Sequence, residues 1–307
     1  DRFPNVAGGE PVRVSVSTRY EEQTFGIPAH RELLIEVRGG SASVETAVAE
    51  LGATGSSLVP ALSFATNAYI GETVPYVAYE VTPDTSERAF IQEFHPDYPD
   101  EYTTLPLSAR ALRGNATAQF IHAVARHKEG QRIRRAMDQY WLALSHWQPH
   151  KKALSLAHLF MAAEALAVAA LRNQQTARGL SADELAKMWS VKETPRGGFR
   201  PGDVQAAARR ELVFHGDKDC HRQAKRASDD FEHGLTDLSA VEATAKDVRD
   251  LTASHVRRAI FELSGSPETA VDVLLKPPLD QPQEAWGPVG VLRGRIMGEG
   301  DGQLRGD

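Results

Sequence analysis

The chain has 307 residues, of which 41% are hydrophobic, and carries 35 basic and 41 acidic side chains for a formal net charge of -6. This length allows a sizeable core and favours two domains over one, whereas the acidic balance excludes a uniformly basic nucleic-acid-binding surface and leaves only a local basic cleft. The single cysteine, Cys220, excludes an intrachain disulfide, which fits a reducing compartment.

Targeting and cofactor signals do not stand out in the chain. We find no run of about 18 apolar residues, and the first residues, DRFPNVAGGE, lack the basic start and apolar core of a secretory signal. Neither a Walker-type phosphate loop nor a dinucleotide fingerprint occurs. The sequence therefore predicts a soluble, cytoplasmic protein with no membrane partner and no cofactor.

The first third of the chain has the pattern of strands. Residues 12–19, VRVSVSTR, alternate valine with polar residues, and ELLIEVRGG follows as a second run. Residues 58–95 hold further runs rich in aromatic and branched side chains, cut by prolines. We predict a β-rich domain over residues 1–113, with one helix near ETAVAEL.

From about residue 114 to 265 the composition favours helices. The segment RIRRAMDQYWLALSHW has apolar residues at three-to-four spacing, and KKALSLAHLFMAAEALAVAALRN is apolar nearly all round, as expected of a central core helix. Ser181 and Glu184 have the spacing of a capping box. LSAVEATAKDVRDLTASHVRRAIFELSG predicts a last long helix. We expect a bundle of four or five helices.

Between the last two predicted helices, Asp203 can cap VQAAARRELVF and Gly216 can end it. After the bundle, residues 266–307 are rich in proline and glycine. We predict an extended tail there, with the last ten residues disordered.

The stretch RRELVFHGD, residues 209–217, carries the most chemistry. On an uninterrupted helix at about 100° per residue, Arg210 and His215 would lie about 140° apart, but an end at Gly216 allows the imidazole to turn. A histidine near a helix C-terminus is favoured in its protonated form, and an arginine fork binds phosphate. These are the parts for cleaving RNA without metal. Alternatively, the apolar residues face the core and the arginines are merely solvated.

These features resemble HEPN-domain proteins, in which a four-to-five-helix bundle ends a helix in arginine, a polar residue, a short apolar run and His-Gly. ARRELVFHGD is similar to that motif. LFMAAEAL, residues 159–166, resembles an aromatic-then-glutamate helix of the ApeA-like branch, whose members also carry a β-rich N-terminal domain. The resemblance implies an α+β chain with an N-terminal β-rich sensor or recognition domain, followed by a HEPN-like bundle over residues 114–265.

What the resemblance implies about function is a metal-independent endoribonuclease of phage defence or stress response. Two protomers would pack as a homodimer so that Arg210 and His215 of both line one cleft, and the substrate would be tRNA or mRNA. The RNA 2′-hydroxyl would attack the adjacent phosphorus and leave a cyclic phosphate. Arg209 would guide the strand. What triggers the N-terminal domain is not implied.

Two alternatives remain open. Glu211 stands where catalytic family members commonly have Asn, Asp or His, so it either opposes phosphate binding or folds back on Arg210. The protein would then be a non-catalytic module for dimerisation or partner binding. The other alternative is a metal-dependent hydrolase, although the spacing of its ligands matches no zinc module. Its candidate residues are His215, Asp217, Asp219, Cys220, His221, Asp229, Asp230, Glu232 and His233.

Two further residues are assigned supporting roles. Glu164 lies within an apolar helix, where an unpaired carboxylate is costly, so we predict a buried pair with an arginine or histidine, and Arg210 is a suitable partner. His233 precedes Gly234 in what resembles a second helix end, and we expect it near the cleft.

Overall fold

In the computed structural model of the protein, the described residues are 2–3, 12–22, 28–81, 89–92, 110 and 112–283. The N-terminal part contains an antiparallel sheet in the order β1-β2-β3 and a separate antiparallel pair, β4 and β5. The strand predictions for residues 12–19 and ELLIEVR are confirmed. The strands are β1 (Arg2–Phe3), β2 (Val12–Glu22), β3 (Pro28–Arg38), β4 (Val77–Tyr79) and β5 (Phe90–Gln92).

Two helices lie between these strands. The predicted helix near ETAVAEL is confirmed as α1 (Val44–Ser56). The side chain of the preceding residue, Ser43, caps its N-terminus. The prediction of a strand from residue 58 is wrong, because Val59–Thr66 forms a second helix, α2. Its proline occupies the first turn, where no backbone N–H is needed, and its side chains are buried nearly all round. Such a run has no periodicity to separate helix from strand.

The remaining described chain is almost wholly helical, as predicted, although it is divided into more helices than four or five. The elements are α3 (Gly114–Arg126), α4 (Gly130–Ser145), α5 (Lys152–Arg178), α6 (Ala182–Met188), α7 (Pro201–Ala208), a π-helical turn (Arg209–Val213), α8 (Lys218–His233), α9 (Leu238–Ser264) and α10 (Glu268–Leu274). The predicted helices at RIRRAMDQYWLALSHW, at the apolar segment and at LSAVEATAK are confirmed as α4, α5 and α9.

Helix ends agree with the sequence in one place and differ in another. The capping box is confirmed, because the Ser181 side chain accepts from the Glu184 N–H at 3.2 Å and the Glu184 carboxylate accepts from the Ser181 N–H at 2.7 Å. The prediction that Asp203 caps the next helix is wrong. Proline begins α7 two residues earlier, so Asp203 lies in its first turn.

The C-terminal prediction is wrong in part. Instead of an extended tail from residue 266, the chain forms α10, which packs against α3. Its residues Ala270 and Leu274 are buried. Residues 284–307, including the last ten that were predicted to be disordered, lie outside the described residues.

The core of the helical region includes α2. The ring of Phe64 lies 5.3 Å from that of Phe120, 5.2 Å from that of Tyr140 and 5.0 Å from that of Phe261. The fully buried Arg257 donates to the carbonyl oxygens of Phe64, Ala65 and Leu274. The packing unit therefore extends N-terminal to residue 114, and the predicted boundary at residue 113 separates α2 from a core that it shares.

The central helix α5 is long and apolar enough to cross a membrane by length and composition, which differs from the sequence expectation. However, 67% of its most apolar window is buried inside the protein. The core helix of a soluble protein has the same character, because it is covered on all sides by other helices.

Candidate functional site

The predicted motif lies on a π-helical turn, Arg209–Val213, that continues α7. The N–H of Phe214 donates to the carbonyl of Arg209 at 3.0 Å, which closes a loop one residue longer than that of an α-helix. The extra residue in the turn rotates the side chains that follow relative to a regular helix. Positions around the motif therefore cannot be assigned to faces at 100° per residue.

The turn ends in an unusual backbone conformation at the motif histidine. His215 has φ of 52°, in the left-handed region that non-glycine residues seldom adopt. Gly216 follows with φ of 78°, and its N–H donates to the carbonyl of Arg210 at 3.0 Å. The prediction that the helix ends here is confirmed, and the end directs the imidazole toward α9.

Of the two adjacent arginines, Arg209 is the buried one. Its guanidinium forms an ion pair with Glu164 of α5, and its Nε donates to Nε2 of His221 at 3.3 Å. The guanidinium carbon lies 4.4 Å from the centre of the Phe160 ring, a cation–π contact. The predicted pairing of Glu164 with an arginine is confirmed, but the partner is Arg209 and not Arg210. The prediction that Arg209 guides an RNA strand is wrong, because its side chain is too deeply buried.

Glu164 is also less buried than the sequence suggested. Its side chain is 53% exposed, whereas that of Arg209 is 9% exposed. The carboxylate thus lies at the rim of the core and reaches inward to the guanidinium.

His221 is held neutral by its surroundings. Burial, together with the nearby positive charges of Arg209 and Arg210, lowers its pKa to about 4. Because Nε2 accepts a hydrogen bond from Arg209, the ring proton is on Nδ1. His221 is therefore an acceptor that fixes Arg209, and at neutral pH it is not a cation.

The motif arginine Arg210 is partly exposed and has two partners. Its Nε donates to Oε1 of Glu211 at 2.6 Å, and its Nη2 donates to the carbonyl of Trp189 at the end of α6 at 3.1 Å. Glu211 therefore folds back on Arg210, one of the two arrangements expected from the sequence. The pair is about three-quarters buried, with side-chain exposures of 28% and 24%.

The motif histidine belongs to a chain of four side chains. Nε2 of His215 lies 3.1 Å from Oε2 of Glu262, and its Nδ1 lies 3.3 Å from Nδ1 of His255. Nε2 of His255 in turn lies 3.4 Å from Oδ2 of Asp217. Two carboxylates thus end a chain whose middle members are two stacked imidazoles, with ring centres 5.5 Å apart.

The number of hydrogen bonds fixes how many protons the two imidazole rings of this chain carry. Three contacts in series between two ionised carboxylates require three protons on the four ring nitrogens, so one ring carries two protons. Burial lowers the pKa of His255. The two imidazoles therefore share a transferable proton beside the π-helical turn.

The nine residues of the predicted metal cluster do not assemble into one site. Along α8, Asp219 pairs with Arg222 and Asp229 pairs with Lys225, both on the exposed face. Two of the nine, Asp217 and Cys220, form a group of possible metal ligands together with His255 from α9. Beside α8 lies an open groove of about 410 Å³. It is lined by one face of that helix and by Leu235, and the helix residues are His221, Arg222, Lys225, Arg226, Asp229 and Asp230.

His233 lies in the last turn of α8, which ends at Gly234 with φ of 61°, so the predicted second helix end is confirmed. The side chain is exposed, and no other described residue forms a hydrogen bond or ion pair with it. Its predicted place near a dimer cleft stays a prediction.

Sequence reasoning missed His255, Glu262 and Trp189. His255 and Glu262 are seven residues apart, two turns of α9, and therefore share a face. That spacing is a usable signal for a polar stripe. It does not indicate which other helix the stripe meets.

No family model, curated protein or solved structure matches this chain. The resemblance to HEPN proteins therefore rests on the two short motifs, and the function must be argued from the site itself.

Proposed function

We propose that the protein is a metal-independent endoribonuclease of HEPN type that acts in the cytoplasm and cuts RNA with Arg210 and His215. One observation carries the proposal: the motif coincides with a π-helical turn that ends in a left-handed histidine. Both features are uncommon, and both are concentrated at functional sites, where the surrounding structure must hold them in place.

The chemistry assigned to the two residues follows from their contacts. The RNA 2′-hydroxyl gives up its proton to solvent water and attacks the adjacent phosphorus, the bond from phosphorus to the 5′-oxygen breaks, and a 2′,3′-cyclic phosphate forms. His215, held between Glu262 and His255, passes a proton to the leaving oxygen. The guanidinium of Arg210 stabilises the charge on the phosphoryl oxygens, for which its planar fork of donors is suited.

In the resting protein Glu211 occupies the position at Arg210 that a phosphate would take. The ion pair is reached from solvent on one side, since each side chain retains about a quarter of its exposure. An RNA phosphate has to displace the Glu211 carboxylate, an exchange of one anion for another. We propose that two protomers supply both copies of the motif to one cleft, and that the role in phage defence or stress response follows from the family resemblance.

The test is cleavage of end-labelled tRNA and of a long unstructured RNA by the full chain in excess EDTA. Arg210→Ala and His215→Ala are compared with Arg222→Ala, a matched control whose arginine is exposed and pairs with Asp219 on α8. We expect the parent and the control to cleave, and the two motif variants to lose at least about 100-fold in rate. Cleavage that is unchanged in both motif variants would overturn the proposal.

A second candidate keeps the fold and loses the chemistry. The 2.6 Å contact between Arg210 and Glu211 favours it, because a satisfied pair is what a structural role requires. This reading predicts a folded dimer that cleaves neither RNA. Size-exclusion chromatography with light scattering gives the oligomeric state, and a dimer bearing no activity in the parent chain supports this candidate.

A third candidate is a metal-dependent hydrolase. The predicted nine-residue cluster is divided in the structure, but two of its members, Asp217 and Cys220, converge with His255, which was not among the nine. This candidate predicts cleavage that EDTA abolishes and an added divalent metal ion restores, the opposite of the leading proposal.

A further inference from the structure

Three side chains of different ligand type converge where α8 begins. Asp217 lies at the N-cap of α8, Cys220 lies in its first turn, and His255 comes from α9. One ligand atom from each lies within 4.8 Å of the other two. A carboxylate oxygen, a thiolate sulfur and an imidazole nitrogen are all ligands of zinc in proteins.

We propose that Asp217, Cys220 and His255 bind one zinc ion, with a water molecule as the fourth ligand. The ligand atoms are Oδ2 of Asp217 and Nε2 of His255, which lie 3.4 Å apart, and Sγ of Cys220. Three protein ligands and one open position make a tetrahedral site. The inference does not depend on the proposed ribonuclease.

The Asp217 carboxylate can serve the metal ion without giving up its structural role. Its Oδ1 accepts the N–H of Cys220 at 2.9 Å and so caps α8, while Oδ2 points to His255. That cap fixes the orientation of the carboxylate. One oxygen orients the carboxylate and the other is left for the ion.

The site is open on one side and closed on the other. Cys220 is 3% exposed, and its Sγ lies 3.5 Å from Oγ1 of Thr252 in the core. The Asp217 side chain is 33% exposed, so an ion enters past the carboxylate. The exposed carboxylate of Asp217 gives the ion access from solvent, and the buried sulfur of Cys220 is the innermost ligand.

The second independent observation is the set of residues behind His255. With the ion on Nε2, the ring retains its proton on Nδ1 and donates it to Nδ1 of His215, 3.3 Å away. Nε2 of His215 then donates to Glu262 at 3.1 Å. Metal-bound histidines commonly donate the other ring N–H in this way, which fixes the ring orientation, and the hydrogen-bonding chain required is already in place.

The experiment uses the full chain, freed of metal with EDTA, desalted and titrated with Co²⁺, whose absorption reports the ligands. We expect one equivalent to bind with the charge-transfer absorption of a cobalt–thiolate bond and the visible bands of a tetrahedral site, and Zn²⁺ to displace it. Cys220→Ala should lose the charge-transfer band, and His255→Gln should bind at least about tenfold more weakly. His215→Ala, which removes the hydrogen-bond partner of His255, should weaken binding by about 10- to 100-fold.

The matched control is Asp219→Asn combined with His233→Gln, two members of the sequence cluster that lie outside the site. This variant should bind Co²⁺ as the parent does. Cys220→Ala keeps a small apolar side chain in the buried position, and urea unfolding establishes that each variant is folded.

Absence of Co²⁺ binding by the parent, or a spectrum unaltered by Cys220→Ala, would overturn the site. The ribonuclease test runs in EDTA and needs no ion, so the failure of either proposal leaves the other standing.

Discussion

Two clusters of polar residues, both anchored on α9, are built from different partners. In the first, which we name the arginine clamp, the guanidinium of Arg257 donates to the carbonyls of Phe64, Ala65 and Leu274. The second is the hydrogen-bonded chain of the four side chains Asp217, His255, His215 and Glu262, in which imidazoles and carboxylates contact one another. The clamp uses backbone acceptors, whereas the chain uses side chains that can exchange protons.

The two clusters also differ in how far their side chains are buried. Arg257 is 1% exposed and lies between the rings of Phe64 and Phe261, and burial lowers its pKa only to about 10, so it stays charged at neutral pH. His215 and Glu262 retain side-chain exposures of 23% and 50%. The comparison teaches that the clamp serves to join α2 and α10 to α9, while the chain has both the groups and the solvent access that chemistry requires.

The largest effect is expected from breaking the clamp. Arg257→Ala leaves three buried carbonyls without their donor and opens a cavity, so we expect the free energy of unfolding to fall by about 3–5 kcal/mol. The neighbouring Arg258→Ala removes an exposed arginine paired with Glu262 and should cost about 1 kcal/mol or less. Urea unfolding of both variants measures the difference. Equal losses would show that the clamp contributes no more than a surface ion pair.

A second comparison concerns the adjacent arginines of the motif. Arg209→Ala removes a buried guanidinium from Phe160, His221 and Glu164, and we expect a loss of about 2–3 kcal/mol in unfolding free energy. Arg210→Ala, at a partly exposed position, should cost about 1 kcal/mol or less while removing cleavage. The reverse order of stabilities in urea would exchange the structural and chemical roles of the two residues.

Stability should also depend on pH through the buried histidines. Burial lowers the pKa values of His146, His158 and His221, the last to about 4. Below about pH 6.5 the unfolded chain binds protons that the folded chain does not, so stability falls as the pH drops from 6.5 toward 4. His221→Gln should flatten this decline in urea unfolding measured across that window. A decline as steep as in the parent would remove His221 as a cause.

The smallest effect is a gain. Glu211→Asn removes the carboxylate that holds Arg210 and places there a residue common in catalytic HEPN proteins. Because an ion pair at this depth contributes about 1 kcal/mol or less, we expect cleavage to rise by up to about fivefold. The rate on the same end-labelled tRNA measures it. A lower rate would mean that Glu211 positions Arg210 for the reaction and does not compete with phosphate.

The fold could be predicted where periodicity is strong. The segments of α4 and α9 show apolar residues at helical spacing, and α5 exceeds any strand in length, so these helices were identified. The short apolar run of α2 carries no such signal, and its proline, which suits a first helical turn, was taken for a strand breaker. In α8 the many charges conceal a buried row of small residues, so the sequence showed a cluster of candidate metal ligands and not a helix over the whole segment.

For the site, the sequence could predict only features that depend on residues close together in the chain. The helix end at Gly216 and the contact of Glu211 with Arg210 both depend on neighbours in sequence. The sequence predicted the helix end, and it left the contact as one of two alternatives. Arg209, and not Arg210, faces Glu164, because the π-helical turn changes which side chains of the helix point inward. Such a turn has no sequence signature. The partners His255 and Glu262 depend on how α9 packs, a contact across 40 residues or more.

The most direct test of the central claim, that the chain around His215 performs chemistry, is the identity of the RNA ends. Fragments produced by the parent in EDTA are analysed by mass spectrometry beside those from His215→Ala at equal folded fraction. We predict 2′,3′-cyclic phosphate ends from the parent and no fragments above background from the variant. Fragments ending in a 3′-hydroxyl, or the same cyclic ends in equal yield from His215→Ala, would contradict the account.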